Sequence, residues 1–169
     1  DVCSSDLDYL KILHEDSNLA ADFDALFDFF LLDEPTKRDE VEGRCTFSVD
    51  GVAFARDGAG GEYHQLEDGS IGYMSSEGEY GRIAESIDDL IYLLVYSICW
   101  HDYCDSSQYT DVGILESYAK ERYAQITSYT DMDKWEYVVK VLGMPSEANL
   151  AAVLQKFYDA VHREPVYQG

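Results

Sequence analysis

FARDGAGGEYHQLEDGSIGYMSSEGEYGRIAESIDDLI, residues 54 to 91, passes from glycine-punctuated alternation into a helix start, and the rest of the chain is read outward from it. Asp57-Gly58 and Asp68-Gly69 are dipeptides that tight hairpin turns favour, because glycine reaches positive φ without a Cβ penalty. Around them Val52 and Phe54, Tyr63 and Gln65, and Ile71 and Tyr73 recur at a period of two, the signature of half-buried antiparallel strands. The spacing predicts strands at about 52–56, 62–67 and 70–75, with a preceding strand at about 44–49 completing a meander. Ser75-Ser76-Glu77-Gly78-Glu79-Tyr80-Gly81 is too rich in glycine for an interior strand and too short for a domain linker. Ser86 then reads as the N-cap of a long helix. Its hydroxyl can accept from free backbone N–H groups, and Asp88 and Asp89 sit at the positive end of the helix dipole.

Upstream, Leu7, Leu10, Ile12 and Leu13 form an apolar face behind Ser5, and Phe23, Leu26, Phe27 and Phe30 repeat one at helical spacing after Asn18. Both segments predict helices packed on the sheet. Asp33 to Glu40 has the charge and turn character of a connecting loop, since Pro35 removes a donor and disfavours helix before it. Downstream, apolar stripes run through Leu90, Leu93, Leu94 and Ile98, through Val112, Leu115, Tyr118, Ala119 and Ile126, and through Trp135, Val138, Val139 and Leu142. The third ends at Gly143, a residue suited to a helix C-cap. Pro145-Ser146 is expected to open a last helix carrying Leu150, Val153, Leu154, Phe157, Tyr158 and Val161. Tyr92, Tyr118 and Tyr158, at helical spacing, read as core. The expected fold class is α+β, one domain over residues 1–169. It holds an antiparallel β-meander of about four or more strands (sheet about 44–84) between N-terminal helices (about 5–32) and C-terminal helices (about 86–163).

With 169 residues, 46% of them hydrophobic, the chain can bury one good core. Lys and Arg total 12 against 34 Asp and Glu, a formal charge of −22. Such a surface repels nucleic acid and anionic membranes and attracts a basic protein partner. An aromatic content of 14% is far above that of an unfolded acidic segment. No positively charged start leads into an apolar run, and the stretch from Leu90 to Trp100 is tyrosine-interrupted and too short to span a bilayer, so the expected compartment is cytoplasmic. Cys3, Cys45, Cys99 and Cys104 show no framework spacing and read as reduced, small hydrophobes.

Phe54-Ala55, Asp57-Gly58, Gly60-Gly61-Glu62-Tyr63, Asp68-Gly69, Ser76-Glu77-Gly78-Glu79 and Arg82-Ile83-Ala84-Glu85-Ser86-Ile87 with Leu90 together resemble the SUKH superfamily over about residues 50–95. That group includes immunity proteins of bacterial polymorphic toxin systems and fungal regulators of cell-wall assembly. The resemblance implies helices first, then an antiparallel meander, then helices. It also implies a non-enzymatic protein–protein interaction, namely an immunity protein that neutralises a cognate toxin by direct binding. The acidity independently implies that the partner is basic, as a nuclease toxin would be. The alternative implied by the same resemblance is a regulatory or scaffold module binding an endogenous protein.

Candidates for chemistry are weaker. Cys99-Trp100-His101-Asp102-Tyr103-Cys104 invites a metal reading, but i and i+2 side chains diverge on a helix and no second Cys or His pair completes a set of ligands. His64, next to Glu62 and Tyr63, could move protons. With no nucleophile at a recognisable elbow, a solvated strand face is the favoured reading. Gly58-Ala59-Gly60-Gly61 lacks the following Lys-Ser/Thr and helix of a phosphate cradle. The acids of residues 77–89 lack calcium-loop spacing, so no metal and no cofactor is expected. The expected contacts to a partner are Glu62, Glu77, Glu79, Asp88 and Asp89, with Tyr63, Tyr73 and Tyr80 as aromatic anchors. The expected framework is Asp57, Gly58, Gly60, Gly61, Asp68, Gly69, Gly78, Gly81, Arg82 and Ser86, with Arg82 an internal counter-ion.

Overall fold

Alternating apolar residues and short turns fold the middle of the chain back and forth on itself. In the computed structural model, which describes residues 8–37, 49–103 and 111–163, the strands are β1 (Phe30–Lys37), β2 (Gly51–Arg56), β3 (Glu62–Leu66), β4 (Ile71–Met74) and β5 (Tyr80–Ala84). Each pairs antiparallel with the next, giving one sheet of order β1-β2-β3-β4-β5. Two helices precede it, α1 (Tyr9–Glu15) and α2 (Ser17–Phe27). After it come α3 (Ile87–Ser97), a 3-10 turn (Trp100–Tyr103), α4 (Val112–Thr127), α5 (Met132–Val141) and α6 (Leu150–His162). The architecture is α+β, a meander between N- and C-terminal helices, as expected from the sequence.

Some boundaries differ from expectation, and one falls outside the described residues. Helix α2 ends at Phe27 because Asp28 turns left-handed (φ 50), so Phe30 starts an exposed strand instead of continuing a helix face. The charged segment around Pro35 is not a loop but the far half of β1. Proline is tolerated there because β1 is an edge strand whose register shifts between Leu31 and Thr36, where no regular ladder bond is needed. The strand expected at 44–49 lies outside the described residues except for Val49, which sits at a bend and packs against Leu66, Met74 and Tyr80. Strand β5 had no separate expectation. The glycine-rich segment supplies only a tight turn, with Ser75 N–H donating to Glu79 O at 2.7 Å, before Tyr80 resumes pairing. Gly78 (φ 92) lies in that turn, Gly69 (φ 87) in the preceding one, and Gly81 in β5, the other edge.

Helix ends follow from local chemistry. The Ser86 hydroxyl accepts from Asp89 N–H at 3.1 Å, and Asp88 and Asp89 occupy the first turn of α3. Gly143 (φ 66) closes α5 with two backbone bonds, Gly143 N–H to Lys140 O at 3.1 Å and Met144 N–H to Val139 O at 3.0 Å. This is the paired pattern of a Schellman ending. Helix α6 starts later than Pro145-Ser146 predicts. Asn149 caps it, accepting from Ala152 N–H at 3.1 Å.

The centre of the sheet is buried on both sides. Helices α3 and α6 cover β5, and α1 and α2 lie against β1, so the main core joins both helical groups. A second cluster of Leu66, Met74 and Tyr80 occupies the opposite face, where His64 is 0% exposed. His64 therefore does not lie on a solvated face. Replacing Ser86 by Ala removes the α3 cap, and the urea midpoint is expected to fall by an amount equivalent to about 1 kcal/mol with an unchanged slope.

Candidate functional site

A meander places alternate turns at opposite ends of its sheet, and this divides the carboxylates that the sequence groups together. Glu62 begins β3, and Glu77 and Glu79 lie in the β4–β5 turn. They share one end with the β2–β3 turn, where a Cβ on Gly60 would lie 3.7 Å from the Ser76 side chain. Asp88 and Asp89, beyond the other end of β5, lie with Asp68 at the opposite end.

At the first end, Asp57 is buried and organises the β2–β3 turn. Its carboxylate accepts from Gly61 N–H at 2.7 Å and from the Tyr73 hydroxyl at 2.6 Å. A Cβ on Gly61 would collide with the Tyr73 hydroxyl and Asp57, so only glycine fits there. Positive φ falls on Gly60, not on Gly58. The Gly58 N–H instead donates to Asp28 at 2.8 Å, fastening the turn to the end of α2. Tyr63 and Tyr73 face inward. The Tyr63 hydroxyl accepts from the Trp100 indole N–H at 3.1 Å, and the two tyrosine rings sit 5.1 Å apart. Tyr80 is buried in the second cluster. The three tyrosines expected to anchor a partner are thus core residues. Burial raises the Tyr63 and Tyr73 hydroxyls far above their ordinary values, and for Tyr73 the hydrogen bond to Asp57 adds to it. Glu62 is half-buried and committed internally, to Arg56 Nη2 at 2.9 Å and His64 Nε2 at 3.1 Å. Glu77 and Glu79 are exposed.

His101 lies beside this turn. Its ring stacks on Trp100 at 3.8 Å between centroids, and Nε2 is 4.0 Å from Asp57 Oδ2. Burial lowers its pKa, opposed by Asp57, Asp28 and Asp102. The backbone leading to it is strained. Ile98 takes φ 64 and ψ −52 with Cys99 N–H donating back to Ser97 O at 2.7 Å, a γ-turn of a sign that β-branched residues rarely adopt. Burial raises the Cys99 thiol, the opposite of what a reactive nucleophile needs. Among the described residues no group of three or more His, Cys, Asp or Glu could hold a metal ion, and no helix is long and apolar enough to cross a membrane.

At the second end Arg82, 1% exposed, is the counter-ion expected, but its partners are not the neighbouring glutamates. Its Nε donates to Ser70 Oγ at 2.9 Å, Nη2 to Asp68 at 3.1 Å and Nη1 to the Arg163 carbonyl at 3.0 Å. Arg163 returns to Asp68 at 2.9 Å and to Glu85 at 2.8 Å. Asp68 loses solvent here, yet the Ser70 hydroxyl and N–H, Arg163 and Arg82 outweigh that and hold its carboxyl well below the usual carboxylate range. Nothing in the local sequence pairs Arg163 with residues 68 and 85. Only the return of α6 across β5 brings them together. Asp88 is exposed. Asp89 rims an apolar crevice of about 200 Å³ between α3 and α6 and meets Lys156 Nζ at 3.2 Å.

No protein-family model matches the chain, and neither a curated protein nor a solved structure does.

Because the folded state depresses the Asp68 pKa, its contribution to stability is complete above the unfolded value of about 4 and is lost as pH falls through the lower folded value. Asp68→Asn should lower the melting temperature most near neutral pH. The gap to the parent should narrow below about pH 4 in thermal scans across a pH series.

Proposed function

We propose that the chain is an acidic, non-catalytic protein-binding domain that holds a basic partner on its carboxylate surface, and that this partner is a toxin of the kind that SUKH immunity proteins neutralise. The observation that carries this reading is the charge of −22 together with where the cations go. Arg56, Arg82, Lys134, Lys156 and Arg163 each pair with a carboxylate of this chain, and Glu77 and Glu79 stand exposed. A field of one sign steers an oppositely charged partner and raises its association rate. The order of helices, antiparallel meander and helices is also the one that the SUKH resemblance implies. Of the contacts expected from the sequence, Glu77 and Glu79 on the β4–β5 turn and Asp88 on α3 are exposed, whereas the tyrosines and Glu62 are engaged inside the fold and Asp89 meets Lys156.

The test is capture from lysate of the protein's own source at low and high salt, followed by titration of the captured species. One basic protein bound stoichiometrically, and more weakly at high salt, supports the reading. Glu77→Lys with Glu79→Lys should then cost about tenfold in affinity and flatten the salt dependence. A captured endogenous regulator would replace the toxin by a scaffold role, and absence of any salt-sensitive partner would leave the acidity as a device for solubility alone.

A further inference from the structure

Between α4, α5 and the start of α6 runs a groove of about 420 Å³, within the size range of ligand sites. Its apolar lining combines Ala119, Leu150 and Ala151 with three aromatic residues. Trp135 and Tyr96 are almost fully buried, with ring centroids 6.3 Å apart, and Tyr123 is half-buried at their side. The polar ends of the first two are satisfied inward, Trp135 Nε1 on the Val95 carbonyl at 2.8 Å and the Tyr96 hydroxyl on the Pro145 carbonyl at 2.6 Å. What the two rings offer the groove is therefore carbon surface. The rim is charged and exposed: Glu116 from α4 and Glu147 from the segment before α6, with Lys120 one turn along from Glu116.

We propose that this groove is the docking site for a Lys- or Arg-bearing segment of a basic protein partner, an inference that rests on the proposed function and gives it a location. The match is one of charge and shape. A lysine or arginine stem is apolar for three or four carbons and lies readily on aromatic faces, while its head keeps to the edge. There Glu116 and Glu147 supply acceptors, and the surrounding field of −22 adds to their pull. Lys120 supplies a donor for a backbone carbonyl of the same segment, so the groove suits a peptide better than a free cation. An interface energetically centred on a filled pocket with a charged rim is the usual form of a binding hot spot. Glu77 and Glu79, on an exposed turn, would then steer more than they hold.

The experiment uses the full chain, isotopically labelled, titrated with a capped hexapeptide alternating Leu and Arg and, in parallel, with one alternating Leu and Glu. Saturable shifts of the Trp135 indole N–H and of the amides from Glu147 to Ala151 are expected with the first peptide and not the second. They should be at least about tenfold weaker in Glu116→Lys with Glu147→Lys, and in Ala148→Trp, which places a large ring into the groove from an exposed position. Glu77→Lys with Glu79→Lys should leave the pattern of shifted residues unchanged. Salt-sensitive binding with shifts confined to other surfaces, indifferent to Ala148→Trp, would overturn the groove and leave the basic-partner reading standing. Failure of the basic peptide, and of a basic probe protein such as lysozyme, to bind any face would overturn both.

Discussion

The indole N–H of Trp100 donating to the Tyr63 hydroxyl is the contact around which the two halves of the fold close. Tyr63 lies in the middle of the sheet and Trp100 in the 3-10 turn after α3, so this one bond spans the sheet and its helical cover. Rings continue from it in both directions. Phe29 reaches Tyr63 from the N-terminal side with Phe23 packed behind it, Tyr73 bridges Tyr63 and Trp100, and Phe157 extends the series into α6. Edge-to-face rings add roughly 0.5–1.5 kcal/mol per pair beyond their area, and a buried indole or phenol needs a polar partner as well. Both conditions are met only if the turn at residue 98 bends sharply enough to bring Trp100 down onto the sheet. The positive φ at Ile98 is the strain that this geometry entails, and packing on all sides holds it in place.

The same knot explains which parts of the molecule were legible in its sequence. Period-two alternation, turn glycines and the Ser86 cap are local signals, and they placed β2, β3, β4 and the start of α3 within a residue or two. The tyrosines were ambiguous because alternation states that two faces exist without stating that both are covered. In β4 Ile71, Gly72, Tyr73 and Met74 are all buried, so an aromatic residue on either face of that strand is core. Strand β1 was hidden by Pro35, whose usual meaning is suspended at an irregular edge. The ion pairs of Arg82 were hidden for a different reason. Their partners lie in a neighbouring turn and at the end of α6, and no spacing rule reaches across 81 positions.

Several cations pair with carboxylates so as to fasten one element to another: Arg56 across the β2–β3 hairpin, Lys134 from α5 to α2, Lys156 from α6 to α3. Pairs this exposed contribute little to stability singly. Their larger effect is on the outward field, since a basic residue placed between elements is not there to offset the carboxylates that face outward.

The carbonyl of Arg163 completing the shell of a buried guanidinium has a bearing on the order in which the protein can be made. Strands β3, β4 and β5 leave the ribosome long before the end of α6 does, at a pace of about 5–20 residues per second. For several seconds the nascent sheet must carry Arg82 with Ser70 and Asp68 as its only partners among the contacts described above. A cation short of one acceptor keeps water at that side of the sheet until α6 arrives to expel it. The end of α6 thus acts as a timer for closure, tying completion of the sheet to the emergence of a helix that lies 81 positions further along the chain.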